Sequence, residues 1–352
     1  MRFSILAPVF TLCSALVLTG CATPGGGGQG AAAPSAVPET PLSKTLGVTA
    51  INPEDLISYA NTVVVPTVYV KLLVEGHATA VQKGGNRVGS NANAVRASAK
   101  YKVLGIDKKL AQDIARQAYD DFVTKLRAAG YTVLTYNDIR DREYVKSADR
   151  EKADATWGMP VESSREGNET YVVAAPSDDQ YFKSGFNGGV FNQFISLGKP
   201  TFKDATVIIP SYTINAPQVW GETDANTATI SANIKTEPSM RLQSANAPWM
   251  GAPKVRMMNG IPGVMTQDPV KVSETVGTLT LIPEKVTASS SAANVLDAGI
   301  KAISFFGGQG TIKKSLTEYS FTIDRNTYLA GAVKGASDFN AQVAQVATAA
   351  KK

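Results

Sequence analysis

The sequence predicts an α/β (α+β) protein: a mixed β-sheet packed by a long amphipathic helix, with a β-rich C-terminal half. Three observations lead there. A valine-rich run alternates with period two between Thr62 and Val81. An apolar stripe of helical period runs from Leu110 to Leu126. From Thr227 onward, alternating segments recur between Pro/Gly-rich turns.

In the first run, Val63, Val64 and Val65 precede Pro66, and Val68, Val70, Leu72 and Val74 follow at alternate positions. β-branched residues at this period indicate a strand half-buried on one face. Pro66 has no amide to donate to a ladder, so it marks an edge, a bulge or a strand junction. Upstream, Asn52-Pro53-Glu54-Asp55 has the composition of a helix start. Downstream, residues 83–93 (KGGNRVGSNAN) read as a loop.

The helix is announced at both ends. Asp107 is a good N-cap, and Leu110, Ile114, Ala118, Phe122 and Leu126 recur every fourth residue. Gly130 closes the run, giving a helix of about 33 Å. Tyr131 to Tyr136 (YTVLTY) then predicts a short strand, and Asp138 to Ala153 a second, more exposed helix. Strand, long helix, strand, helix is an α/β order.

A second valine/isoleucine segment, Val207 to Ile214, repeats the pattern of Val63 to Val70, each broken by a proline. Over eight apolar positions the match is an echo of two neighbouring strands or a coincidence; its one use is to place both segments in one sheet. Later strands are expected in TATISANIK, TVGTLTLI and SLTEYSFTID, and residues 291–306 have helical spacing ending at Gly307-Gly308. The last 17 residues are Ala/Gln/Val-rich, with few large apolar groups to fix them, so 336–352 reads as a tail or short helix. The folded body accordingly spans 46–335, with an α/β core at 46–215 and a β-rich part at 216–335.

The N-terminus has a different character. Arg2 precedes an apolar run from Ile5 to Leu18, too short for a membrane-spanning helix but suited to a secretory signal. It ends in Leu18-Thr19-Gly20-Cys21. This resembles the lipobox of bacterial lipoproteins, which implies cleavage before Cys21 and lipidation of its thiol with acyl chains such as palmitate. The competing possibility is an ordinary signal peptide, residues 1–20, with a chance cysteine. Ala22, rather than an aspartate, follows Cys21, which by resemblance to enterobacterial sorting favours the outer membrane. Residues 21–45 are Gly-, Ala- and Pro-rich, a flexible tether with a reach of roughly 25–30 Å. Cys13 leaves with the signal and Cys21 takes the lipid, so no thiol remains for a disulfide, a zinc site or a nucleophile.

Composition bounds the chemistry. The chain is 43% hydrophobic and 18% charged with a formal net charge of +5, and its cations alternate with anions, as in Asp138-Ile139-Arg140-Asp141-Arg142-Glu143. No basic stripe with interleaved aromatics occurs, which argues against nucleic acid. His77 is the sole histidine and cannot build a metal cage or a relay. Ser196-Leu197-Gly198-Lys199 has a Ser-x-x-Lys form, but the internal glycine and Pro200 make it a loop. Gly307 to Ser315 lacks the spacing of a phosphate loop. Met240, Met250, Met257, Met258 and Met265 crowd one interval without a Met-x-x-Met pattern, which favours packing or partner contact over copper. Tyr181 to Phe194 sets aromatics among Gly and Asn, a loop that folds on its own core or meets a partner. The candidate partner-binding residues are therefore Phe186, Phe191, Phe194, Trp249, Met257 and Met258. No catalytic constellation, cofactor site or metal site is expected.

Taken in order, the lipobox, the tether, the valine strand at Pro66, the helix LAQDIARQAYDDFVTKLRAAG, the strand YTVLTY and the acidic turn NDIRD carry a family likeness. They resemble the periplasmic α/β core of the curli secretion channel lipoprotein family (CsgG), with its relatives the penicillin-binding-protein activator lipoproteins and the TolB N-terminal domain. The resemblance covers about residues 60–215. The family's Val-Ala-Val-Leu-Pro-Phe strand is partly matched by Val63-Val64-Val65-Pro66, and no transmembrane hairpin is evident. It implies a non-enzymatic outer-membrane lipoprotein of envelope assembly or secretion, lipid-anchored, with envelope proteins as partners; a homo-oligomer stays open. Two alternatives stand beside it: a periplasmic polysaccharide- or small-molecule-binding module using Trp157, Trp220 and Trp249, or a carboxylate hydrolase.

Overall fold

The computed structural model describes residues 46–51, 61–83, 94–164, 166–183, 205–225, 229–250, 262–282, 304–306 and 313–350. The fold is α+β with a large mixed sheet. Its first elements are β1 (Val48–Ile51), β2 (Thr62–Val65), β3 (Tyr69–Lys83), β4 (Ala94–Leu104), α1 (Lys108–Ala128) and β5 (Thr132–Thr135). Two single turns, α2 (Tyr136–Ile139) and α3 (Glu143–Lys146), precede β6 (Val161–Ser163), β7 (Glu169–Ala174), β8 (Thr206–Ile208) and β9 (Ser211–Asn215). Then come β10 (Gln218–Ala225), β11 (Thr229–Glu237), β12 (Met240–Met250), β13 (Gly263–Thr266), β14 (Val270–Ser273) and β15 (Gly277–Ile282). β16 (Ser304–Phe306), β17 (Lys313–Ile323) and α4 (Arg325–Ala350) complete the described elements.

The main sheet has the order β15-β17-β4-β3-β9-β12-β8-β2-β5, with β1, β13 and β14 attached through β12, and β6 and β7 through β3. Pro66 proves to be a strand junction. β2 ends at Val65, and the chain resumes as β3 at Tyr69 with a different set of neighbours. Pro210 divides β8 from β9 in the same way. The two interrupted segments lie side by side and parallel, Val64 opposite Val207 and Val70 opposite Tyr212. The amide of Tyr69 donates to the Pro210 carbonyl at 2.9 Å, closing the ladder across both breaks.

One face of the sheet is covered by α1 and α4. Asp107 accepts from the Leu110 amide at 2.7 Å, and the Arg325 guanidinium clasps the same carboxylate at 2.7 Å. That pairing, more than the partial burial opposing it, holds the Asp107 carboxyl below the usual carboxylate range. Leu110, Ile114, Ala118, Phe122 and Leu126 are buried among Val68, Val70, Leu72 and Val74 of the sheet. Gly130 takes φ +83°, the left-handed turn that ends the helix. α4 starts beside α1 at the Arg325–Asp107 pair and still touches the α1–β5 segment at Tyr131, whose hydroxyl donates to the Ala347 carbonyl at 3.0 Å. The two helices therefore run parallel.

The opposite face has two covers. Near β2 and β8, Tyr69, Ile139, Val145, Tyr181, Phe182 and Ile209 form a second apolar cluster. Further along, the small antiparallel sheet β10-β11-β16 lies on β3 and β4. Contact there is backbone-close: a Cβ on Gly221 would stand 2.8 Å from the Thr79 carbonyl oxygen and 2.9 Å from the Ala80 Cβ. Ala80, Ala97 and Ala232 fill the seam.

Several expectations need correction. Asp138–Ala153 is not a second helix but the two turns α2 and α3. Its charges lack an apolar stripe, and the Asp138 carboxylate instead accepts from the Thr135 amide and hydroxyl, each at 2.7 Å. Ser304–Phe306, the end of the expected 291–306 helix, is a strand pairing with β11; the rest of that segment lies outside the described residues. Residues 336–350 are helical, as one of the two readings had it, but they continue α4 from Arg325 and are neither a tail nor a separate short helix. Their anchors are small: Ala332, Ala336 and Ala347 bring the helix close, and Phe339 and Val343 fill what remains. β4 was not anticipated at all. The Asn52–Asp55 helix start and the 84–93 loop lie outside the described residues.

Two substitutions test this packing. Phe122→Ala removes a fully buried ring and should cost about 3–5 kcal/mol in urea unfolding. Gly221→Ala forces a methyl against the β3 backbone and should cost about 1–3 kcal/mol, although it adds apolar surface.

Candidate functional site

Of the six residues expected at a partner surface, Phe186, Phe191, Phe194, Met257 and Met258 lie outside the described residues, as does the lipidation candidate Cys21. Trp249 is in the core, only 4% exposed. β12 alternates, and Ala245, Ala247 and Trp249 are all buried on it. The indole borders a cavity of about 10 Å³ with Val63, Leu126, Tyr131, Ile208 and Ala347. It is thus a packing residue and offers no exposed surface.

The described margins of the Tyr181–Phe194 loop and of the methionine-rich interval divide the same way. Tyr181 and Phe182 are buried, and the Phe182 carbonyl accepts from the Tyr69 hydroxyl at 3.1 Å. The Arg150 guanidinium lies over the Phe182 ring, 4.2 Å from its centre. Met240 is buried, whereas Met265 is 43% exposed. Trp157 and Trp220 are half-buried and belong to different parts of the fold. Ser196 to Lys199 lies outside the described residues.

Two polar networks are built into the interior. In the first, Tyr212 on β9 donates to the Asn340 side-chain oxygen at 2.6 Å. The Asn340 amide donates to the Ala118 carbonyl at 3.2 Å and to Asp121 at 2.8 Å. Lys125 pairs with Asp121 and donates to Ser337 at 2.8 Å. Burial pushes the Tyr212 hydroxyl well above its usual range. In the second network, Tyr171 donates to Glu169 at 2.6 Å, and the Asn215 amide reaches the other Glu169 oxygen at 3.2 Å. Tyr171 is raised by burial and by the Glu169 charge, and Tyr101 by burial first and then the same charge. Arg241, buried on β12, stands opposite Asn215 in the ladder.

Both networks link elements distant in sequence, and their hydroxyls are driven away from ionisation rather than towards it. Such groups orient and hold; a nucleophile or general base needs the opposite shift. Among the described residues, no group of three or more His, Cys, Asp or Glu side chains is placed to hold a metal ion. No described helix is long and apolar enough to cross a membrane.

What remains is outward-facing. A shallow groove of about 500 Å³ runs between the ends of α1 and α4, lined by Ala128, Ala129, Ala341 and Ala344 with Lys125 and Gln345. On β4, Arg96, Lys100 and Lys102 are exposed at alternate positions, with Glu75 pairing Lys102 at 3.2 Å. His77 lies across from Lys100, and partial desolvation followed by the Lys100 and Arg96 charges lowers its pKa. At one end of the main sheet, β15 exposes Leu281 and Ile282, each 40% accessible. The strand itself was legible in the sequence; its position at an edge was not.

No protein-family model, curated protein or solved structure matches this chain.

The buried Asn340 offers a direct test of the first network. Asn340→Leu strands the Tyr212 hydroxyl without its acceptor and should cost about 1–3 kcal/mol in urea unfolding. Adding Tyr212→Phe should recover part of that loss, because the orphaned group is then gone.

Proposed function

We propose that this protein is an outer-membrane-anchored lipoprotein that acts without catalysis, through protein–protein contacts, in envelope assembly or secretion. The observation that carries this is Leu18-Thr19-Gly20-Cys21 behind a short apolar run and ahead of a Gly/Ala/Pro tether. Several acyl chains on Cys21 give durable attachment where one gives only marginal binding. The tether would then hold the α+β body a few nanometres from the lipid. The likeness to the curli secretion lipoprotein core belongs to the same proposal, and its support is the order of elements from the valine strand through α1 to β5.

The described surface agrees with a contact role. Its concave feature is a shallow alanine-lined groove, whereas strand edges and an alternating charged ridge face solvent. The buried Tyr212 and Tyr171 hydroxyls are engaged in structural networks.

Cys21→Ser should abolish incorporation of radiolabelled palmitate and move the protein from the membrane fraction to the soluble one. Palmitate labelling undiminished in the variant would overturn the lipoprotein assignment. Partner contact is tested separately, by crosslinking in intact cells followed by mass spectrometry. Envelope proteins recovered with the wild type and lost from Cys21→Ser support the role; recovery of cytoplasmic partners alone would reject it.

A further inference from the structure

We infer that β15 is a dimerisation edge that pairs antiparallel with β15 of a second copy of this chain, centred on Thr280. This goes beyond the lipoprotein assignment and does not depend on it. Among the described residues β15 pairs with β17 alone, leaving its other edge without a strand neighbour. The strand reads Gly-Thr-Leu-Thr-Leu-Ile, six residues with no charge and no proline. It is the longest uncharged edge strand described. β10 is longer but carries Glu222 and Asp224, and β6 and β14 carry Glu162 and Lys271.

Soluble proteins protect such edges with charge, proline, brevity or a cover. The far end of the same sheet shows that protection: β5 has four residues, and Arg127 donates to the Val133 carbonyl at 3.3 Å. β15 has none of it and instead exposes Leu281 and Ile282, two of the five large hydrophobic side chains most open to solvent among the described residues.

The occupant follows from the sequence of the edge itself. In a two-fold antiparallel pair, residues i and j face each other when i + j is constant, and both must lie on one face, so the sum is even. Centring on Thr280 sets Thr280 against its own copy, Leu279 against Leu281, and Thr278 against Ile282. Each is a favourable cross-strand pair, with leucines on one face and hydroxyls meeting on the other. No like charges are opposed. This register pairs every residue from Thr278 to Ile282 and so uses nearly the whole edge. A single edge thus satisfies itself, as an isologous contact requires.

Disulfide trapping in the full chain, in intact cells under mild oxidation, reads the register directly. In a non-hydrogen-bonded or hydrogen-bonded pair, opposed Cα atoms lie about 4.5–5.5 Å apart, within disulfide range. Thr280→Cys should therefore give a reducible species of twice the chain mass. Thr278→Cys should give none, because the two copies of that position lie roughly 14 Å apart. The wild type controls for Cys13 and Cys21. Light scattering of the purified full chain is the second measurement: wild type dimeric, and Thr280→Lys monomeric and still folded. Equal crosslinking at 278 and 280, no crosslink at either, or a wild-type monomer would each overturn the proposal. If Thr280→Lys unfolds, the cysteine pair still decides the outcome.

Discussion

The structure depends on one feature above others, the paired interruption at Pro66 and Pro210. Two segments about 140 residues apart in sequence meet in parallel, each broken where the other is broken. Neither proline can donate to a ladder, so a single break in a central strand would leave its neighbour's acceptor unpaired. Aligning the breaks removes that penalty, and the Tyr69 amide bridges them by donating to the Pro210 carbonyl. The step also lets one chain segment serve two neighbourhoods: β2 contacts β5 and β8, and β3 contacts β4, β7 and β9. β12, from after residue 216, is thereby inserted between β9 and β8, from before it, in a single sheet. Closing so long a loop adds entropy only slowly with length, but it must precede the contacts that reward it.

Around that seam the chain packs by subtraction as much as by bulk. Gly221 brings the small sheet onto β3, and Gly331 and Gly335 bring α4 onto β12 and β14, where added Cβ atoms would meet Met240 and Val272 at 3.0 and 3.2 Å. Close backbone approach leaves polar groups with little room for water, so the buried side chains of the first network take their partners from the protein itself. Asn340 serves Tyr212, Ala118 and Asp121 at once and so sets the position of α4 relative to both α1 and the sheet. A buried polar group with three partners specifies one arrangement where leucine would tolerate several.

The same distinction explains what the sequence reveals. α1 was legible because its stripe is made of Leu, Ile and Phe, with a cap at each end. The valine segments and their echo were legible because β-branched residues stand out against polar neighbours. β4 escaped because Ala97 and Ala99 supply its first buried positions, ahead of Tyr101 and Val103, and alanine beside serine and lysine gives little hydrophobic contrast. The continuity of α4 from Arg325 through its alanine-rich distal half was missed for the same reason. Trp249 was misplaced because Pro248 and nearby Asn and Ser resemble a loop, while β12 in fact runs through them with Trp249 facing inward. The candidate surface fared similarly: TVGTLTLI was recognisable as a strand, but being an edge is a property of sheet order, which no local pattern encodes.

An uncharged edge is a hazard only if pairing can propagate. A heterologous edge-to-edge contact would repeat without end, whereas an antiparallel contact of β15 with itself consumes both edges and stops. Growth from the other end of the sheet is blocked at β5 by its short length and by Arg127 over the Val133 carbonyl. Confinement to a membrane surface, as proposed through Cys21, would raise the local concentration of copies and favour this closed pairing without any added contact. The asymmetry between a guarded β5 and an open β15 is then what a finite assembly needs: one edge to be used, and the other to be kept from use.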